Sequence, residues 1–345
     1  MPGPAARPIA APMRRPLFAA LIFVALGPVP GPRHYRPPVD LTSQQVTARP
    51  LRYPAGEAGM LRFVRGWRLV SPNDAFGGFS ALAILGPDRF QLAADNGYWT
   101  RLTLAADGAV SGARIAMLPL GGGPSQRKSH RDVESMAFDP VSGKSWVALE
   151  GLNQVWRLDP ALERIESRAR LPRPSWPANR GPEAMVRLAG GRTIIFSEDA
   201  DDDPRGREAL LFTGDPAEPG TKAIRFFYDS QGKGLVSDAA PLPDGRILLV
   251  HRRLGLDPVF TTILGVVDSA AIRPGVRLTS RTIGRVPAAL ADNYEGAAIE
   301  RRGGRTFLWL VSDNNFNDWQ RSLLVEFELV GLTPHRATGS KKAAR

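Results

Sequence analysis

The 345-residue chain contains no cysteine and only four histidines, at positions 34, 130, 251 and 335. The first absence excludes a disulfide framework and any Cys-ligated zinc site. The second leaves too few imidazoles, too widely spaced, to argue for a His-rich metal centre. Apolar runs long enough to span a membrane are missing as well, because the ten residues Leu17–Leu26 fall short of the roughly 20 a spanning helix needs. From Leu61 onward no stretch keeps a helical period. What replaces these features is turn-forming residues, 35 Gly and 31 Pro, which favour many short strands over long helices.

The net charge of +11 suggests nucleic acid until it is mapped. Residues 1–52 carry seven Arg against Asp40, and the segment from Thr333 adds Arg336, Lys341, Lys342 and Arg345. The body between them is left near +1, so no basic face for nucleic acid is supported. Met13-Arg14-Arg15 followed by the apolar run and then Gly27-Pro28 fits a secretory signal or leader over residues 1–29. That predicts a periplasmic or secreted protein touching a membrane only through this segment, if it is retained. Residues 30–58, rich in Pro and Arg, read as a linker, residues 59–332 as one domain, and residues 333–345 as a basic disordered tail.

Internal similarity is the main clue to fold. A small or acidic residue before a short apolar run recurs in Phe79–Ala83, Val133–Ala137, Pro182–Val186, Val236–Ala240 and Tyr294–Ala298. Aligned on Ser80, Glu134, Glu183, Asp238 and Glu295, the copies lie 54, 49, 55 and 57 residues apart. Each is followed by a turn and a second strand with a polar end, such as Phe90–Asp95, Ser145–Glu150 or Phe307–Asp313. Four antiparallel strands per roughly 50 residues is the size of a propeller blade. The last unit supplies three strands, ending with Leu323–Leu329, and Leu61–Val70 is available as the fourth. The expected fold is therefore an all-β, single β-propeller of five blades, with six as the alternative, in which N- and C-terminal strands share the closing blade. Such closure removes free sheet edges. A β-sandwich with incidental similarity is the plainer alternative.

Strands 1 and 2 of a blade are antiparallel, so the start of one lies beside the end of the other. Glu134, Glu183, Asp238 and Glu295 open first strands and are expected as inner-ring ligands or water activators. Asp95, Glu150, Glu198 and Asp313 end second strands and form an outer acidic set suited to a metal. Both sets fall on one rim, with loops carrying Arg127, Lys128, His130, Arg131, Arg173 and Arg180, and with His251-Arg252-Arg253 ending the fourth unit's second strand. Arg131, Arg180 and Arg252 are the candidates for orienting an anionic group. Carboxylates crowded at a narrow axis need compensation, which a divalent cation, Ca2+ by choice of oxygen ligands, would supply. Such a cation beside Arg and Lys suits a small anionic ester. The same acids can instead serve only to lock blades together through hydrogen bonds.

Weaker signals resolve toward structure. Gly121–Pro124 lacks the Lys-Ser/Thr and helix of a P-loop, and Asp199–Asp203 lacks EF-hand spacing. Ser80 and Ser237 have no G-x-S-x-G around them. Trp99, Trp146, Trp156 and Trp309 sit within strand patterns, as blade packing would have them.

At these residues the sequence resembles the phytase-like domain family, also called the "esterase-like activity of phytase" family. The matching pieces include Gly77–Ala83, Asp132–Ala137, Arg180–Met185, Val236–Asp238 and Asn293–Ala298, the last joined with Val311–Phe316. Ala94, Ala184 and His251-Arg252-Arg253 depart from the family pattern. The resemblance implies a propeller, bacterial export and hydrolysis of phosphate or related esters. The leading expectation is such a hydrolase, monomeric and cation-assisted. The alternatives are a non-catalytic binding propeller of the envelope and a calcium-dependent sugar lactonase.

Overall fold

The computed structural model describes residues 40–332 apart from 55, 120–127, 173–175, 178–179 and 199–202. The leader over residues 1–29, the tail from 333, the Gly121–Pro124 loop, Arg127, Arg173 and most of the acidic loop at 199–203 lie outside the described residues. Within them, regular structure is β-strand apart from three single 3-10 turns.

Among the described residues, twenty-three strands form five sheets, antiparallel but for one short pairing. The first three strands, β1 (Thr47–Pro50), β2 (Glu57–Ala58) and β3 (Leu61–Val70), belong with the last three. Blade 1 contains β4 (Phe79–Gly86), β5 (Arg89–Ala94), β6 (Tyr98–Leu104) and β7 (Val110–Met117). Blade 2 contains β8 (Val133–Phe138), β9 (Ser145–Leu149), β10 (Gln154–Leu158) and β11 (Ile165–Arg170). Blade 3 contains β12 (Pro182–Arg187), β13 (Thr193–Ser197), β14 (Arg207–Phe212) and β15 (Ala223–Asp229). Blade 4 contains β16 (Leu235–Pro241), β17 (Ile247–Leu254), β18 (Phe260–Val267) and β20 (Arg281–Arg285), while β19 (Arg277–Thr279) crosses back to pair in parallel with β15. Blade 5 runs β21 (Tyr294–Arg302), β22 (Arg305–Ser312), β23 (Ser322–Leu329), β3 and β1. The expected closure is therefore found, with β23 and β3 paired from Ser322↔Leu69 to Leu329↔Leu61. The innermost strands β4, β8, β12, β16 and β21 each contact the next, and β21 contacts β4, so the ring of five is complete.

The core explains why the second strands read as continuous apolar runs, such as Trp146-Val147-Ala148-Leu149 and Phe307-Leu308-Trp309-Leu310-Val311. Side chains alternate across a strand, and here both faces are buried between blades. On β9, Val147 and Leu149 pack toward blade 1, while Trp146 and Ala148 pack toward blade 3. On β22, Leu308 and Leu310 face blade 4, while Trp309 and Val311 face blade 1. Five apolar layers result, one for each blade interface. Each fully buried Leu, Ile, Val or Phe contributes about 1.5–3 kcal/mol of transfer free energy. The closing seam is therefore as apolar as the others, with Trp309 stacked on Trp67 at 6.3 Å and meeting Phe90 edge-on at 4.7 Å.

Candidate functional site

The site is built from one local device repeated five times. At the start of every innermost strand one residue drops out of the ladder as a β-bulge: Ser80, Glu134, Glu183, Ser237 and Glu295. A bulge leaves its residue unpaired and re-aims the side chain. Next to each bulge, the residue after β5, β9, β13 or β22 donates its backbone N–H to the strand opening: Asp95 to Gly78, Glu150 to Asp132, Glu198 to Gly181 and Asp313 to Asn293. In blade 4 the corresponding partner of Leu235 is Arg252. Four blades thus place an acid at this position and one places a cation.

The bulge register corrects one expectation. In blade 4 the rim position belongs to Ser237, and Asp238 is a residue further along. Its carboxylate is buried and accepts the backbone N–H groups of Ala239 at 2.8 Å and Ala297 at 2.6 Å. Asp238 therefore ties blade 4 to blade 5 instead of joining the ring. Ser80 and Ser237 do similar work, donating to the carbonyls of Val133 at 2.6 Å and Tyr294 at 2.9 Å in the next blade. His251 also leaves the rim. It is fully buried, bonded to Tyr228 Oη at 2.6 Å and to the Ile263 carbonyl at 3.0 Å, and burial pulls its pKa down to about 4.

The remaining acids come together. Carboxylate oxygens of Asp132, Glu134 and Glu150 lie within 4.8 Å of one another, and so do those of Glu150, Glu183 and Glu198. Glu150 belongs to both groups, and its Oε1 also accepts the Gly181 N–H at 3.1 Å. Glu183 is only 7% exposed, and the attraction of Arg252 offsets only part of its burial and of the repulsion from Glu198, Glu295 and Glu150. Arg252 forms an ion pair with Glu295, donates to Asn293 Oδ1 at 2.8 Å, and lies 3.9 Å from Glu198. Asn293 in turn donates to Asp313 at 3.2 Å. Lys128 closes the circuit by reaching Asp95 at 2.7 Å and Asp132 at 3.3 Å.

Burial, then mutual repulsion, sets the protonation of this ring. Glu134 and Glu183 are pushed well above the ordinary glutamate range by burial and by neighbouring carboxylates. Glu150 is raised to about 7, chiefly by burial, with the Gly181 N–H working against the shift. Asp132, Glu295 and Asp313 move up for the same first reason, and Arg252 offsets part of it for the last two. Burial works against the charge of Lys128, but Asp95 and Asp132 outweigh it and hold its pKa above the usual value.

These donors fit a hard cation. Ligand oxygens no more than 4.8 Å apart match the span across one ion with bonds of about 2.4 Å, and the set is all oxygen. Asp132/Glu134/Glu150 and Glu150/Glu183/Glu198 are the residues that could hold it. Of the expected anion-orienting residues, Arg252 sits inside the ring, Arg180 precedes the Gly181–Glu183 bulge, and Arg131 is 1% exposed, too buried to meet a ligand from solvent. Lys128, expected in a rim loop, is found there, whereas Asp132 and Asn293 are site residues that the sequence did not single out. Extending the repeat alignment two residues upstream of each bulge would have marked Asp132 and Asn293. The opposite end of the axis is different in kind, a cavity of about 200 Å³ lined by Leu82, Met136, Phe138, Met185 and Ile299 among others.

The chain matches the family described as "Phytase-like: Esterase-like activity of phytase" over residues 74–316. No curated protein matches it. Similar solved structures include the PQQ-bound aldose sugar dehydrogenase of Streptomyces coelicolor, at 14% identity and a TM-score of 0.45, covering 83% of this chain and 99% of that one. Glutaminyl cyclase of Myxococcus xanthus is similar at 12% identity and a TM-score of 0.45, covering 77% and 95%. An exo-1,5-α-L-arabinanase from a bovine ruminal metagenomic library is similar at 12% identity and a TM-score of 0.41, covering 72% and 91%.

Proposed function

The chain belongs to the phytase-like family, and from that premise we propose that it is an exported, monomeric hydrolase of phosphate esters or related esters, assisted by Ca2+ at the acidic ring. The observation that carries this reading is the Glu150–Glu183–Glu198 cluster, whose oxygens converge within 4.8 Å around the buried Glu183 while Arg252 offsets only part of the repulsion there. A divalent cation held there supplies charge compensation, attraction for an anionic ester and polarisation of that ester. The chain's own groups do the rest. Lys128, half-exposed at the rim, meets the anionic group as it arrives. Arg252, fixed by Glu295 and Asn293, presents a positioned guanidinium toward Glu198. Glu134, which burial and its carboxylate neighbours keep protonated in the metal-free chain, would accept the proton of the attacking water once a cation's charge has ionised its carboxyl. Export is supported by the basic-then-apolar order of residues 13–28.

The test is a panel of phosphate monoesters, carboxylic esters and lactones, each assayed with and without Ca2+. Calcium-dependent turnover of phosphate esters, lost about 100-fold or more in Glu183→Gln, is the expected result. Turnover confined to lactones would move the assignment to a lactonase. A second reading, a non-catalytic binding propeller, draws on the fact that Arg252 is already ion-paired to Glu295. Calcium-dependent ligand stabilisation without turnover of any ester would establish it in place of the first.

A further inference from the structure

Beside the acidic ring, the same rim carries exposed apolar side chains that the core does not use. The loop between β22 and β23 presents Phe316 at 42% exposure and Trp319 at 53%. Trp319 stacks on Phe260 of blade 4 at 6.4 Å with the rings nearly parallel, and the neighbouring β17–β18 hairpin adds Leu254 and Leu256, the latter 77% exposed. Phe316 lies against the ring itself. A Cβ placed on Gly78 would fall 2.3 Å from the Phe316 ring and 2.5 Å from Asp95 Oδ1, so the aromatic edge and the carboxylate crowd the same point.

This placement is held against the backbone's preference. Asn315 and Phe316 both adopt left-handed φ values, 47° and 51°, which a bulky residue rarely accepts. The turn is pinned by the site's own residues. Asp313 Oδ1 accepts the Asn315 N–H at 2.6 Å, and Asn314 Oδ1 accepts the Gly78 N–H at 2.8 Å. Seam packing alone does not explain it, because the aromatics that seal this seam, Trp67 and Trp309, are 2% and 1% exposed. An exposed aromatic fixed at the lip of a charged ring is arranged for a ligand with two unlike ends.

We propose that Phe316 and Trp319 form a subsite for the apolar body of an amphipathic ester whose anionic group lies at the acidic ring. The proposal rests on the cation-assisted phosphate-ester reading above and adds the substrate class. An aryl or alkyl phosphate suits the rim better than a polyphosphorylated polyol, because ring carboxylates and apolar side chains offer such a polyanion few cationic partners.

Binding of phosphonates, which cannot be hydrolysed at phosphorus, tests this independently of turnover. Methylphosphonate and phenylphosphonate are titrated calorimetrically into the full chain with Ca2+ present. Wild type is expected to bind the phenyl compound about tenfold more tightly than the methyl one. Phe316→Ala and Trp319→Ala should each remove most of that preference and leave methylphosphonate affinity unchanged. Phe316→Leu, which keeps the turn filled, should retain an intermediate preference and controls for misfolding. Equal affinity of wild type for both compounds would overturn the subsite while leaving the ring reading intact. A preference that survives in both alanine variants would also overturn it. Failure of every phosphonate to bind, with Ca2+ present, would sink the phosphate-ester reading and this proposal with it.

Discussion

Two regions of this propeller bury glutamates, and they do so under opposite electrostatics. On the closing blade, Glu326 and Glu328 of β23 are almost wholly buried and lie two residues apart on one face of the sheet. Glu326 receives Arg65 from β3 and Arg302 from the end of β21, each at 2.5 Å. Glu328 is paired with Arg62 and Arg305. Side-chain hydrogen bonding from Arg305, with Arg62 adding to it, holds the Glu328 carboxyl down to about 2. At the acidic rim, bulges aim Glu134 and Glu183 toward Glu150 at the end of β9, and the same kind of residue is pushed up instead. Buried carboxylates with arginines close a fold. Buried carboxylates facing one another strain it, and a strain shared by several blades at one point makes that point a candidate ligand site.

The largest test of this contrast is a pair of substitutions with opposite signs. Glu326→Ala leaves Arg65 and Arg302 facing each other across the seam that joins the chain's ends. It should cost about 3 kcal/mol in chemical denaturation. Glu183→Gln, in metal-free protein, replaces a buried carboxyl whose ionisation is opposed by burial and neighbouring carboxylates more than Arg252 favours it. It should be neutral or stabilise by about 1 kcal/mol, seen as a higher Tm. A loss of stability in metal-free Glu183→Gln would show that the ring is a packing device, and the contrast would collapse. The next effect is smaller. Arg252→Gln strips the one cation that occupies an acid's position in the five-blade repeat, and should lower metal-free stability by about 2 kcal/mol. Adding Glu295→Gln should restore about half of that, because the two side chains are ion-paired. Strict additivity of the two changes would mean that the pair contributes nothing.

Much of this was legible in the sequence, and the misses share a cause. β3 spans Leu61–Val70, the segment expected to supply the fourth strand of the last blade, because period and composition suffice to mark a strand. The acids of blades 1, 2, 3 and 5 were readable because each repeats at a strand boundary. Asp238 falls outside the ring because in blade 4 the bulge position is held by Ser237, and an acid one residue later carries no signature that tells it apart. His251 was placed on the rim because β17 was read as ending at Arg253. The strand in fact continues to Leu254, and His251 pairs with Val236 inside the blade. The arginine ladder escaped notice altogether. Glu326 and Glu328 meet Arg65 and Arg62 across separations of 261 and 266 residues, which no local pattern encodes.

Acidity distinguishes the two regions most quietly, through the pH dependence of stability. Glu328 titrates lower in the folded chain than its ordinary value of 4.5, so its contribution is present above pH 4.5 and fades as pH falls toward 2. Glu150 titrates higher, near 7, so in metal-free protein its ionisation opposes folding, with no penalty below 4.5 and the full penalty above 7. His251 also bears on this window. Its folded value of about 4 lies below the ordinary 6.5, so stability is lost as pH falls from 6.5 to 4. The ring is therefore best isolated as a difference. The stability of Glu150→Gln relative to wild type should be flat below pH 4.5, rise between 4.5 and 7, and level off beyond, while His251 and Glu328 contribute equally to both proteins and cancel. Saturating Ca2+ should flatten the rise, because a cation stabilises the ionised ring in wild type and supplies what the missing partners do not. A difference that stays level from pH 4 to 8 without metal would show that the rim carboxylates are not strained, and Glu150 would then belong with the ladder on the far side of the comparison.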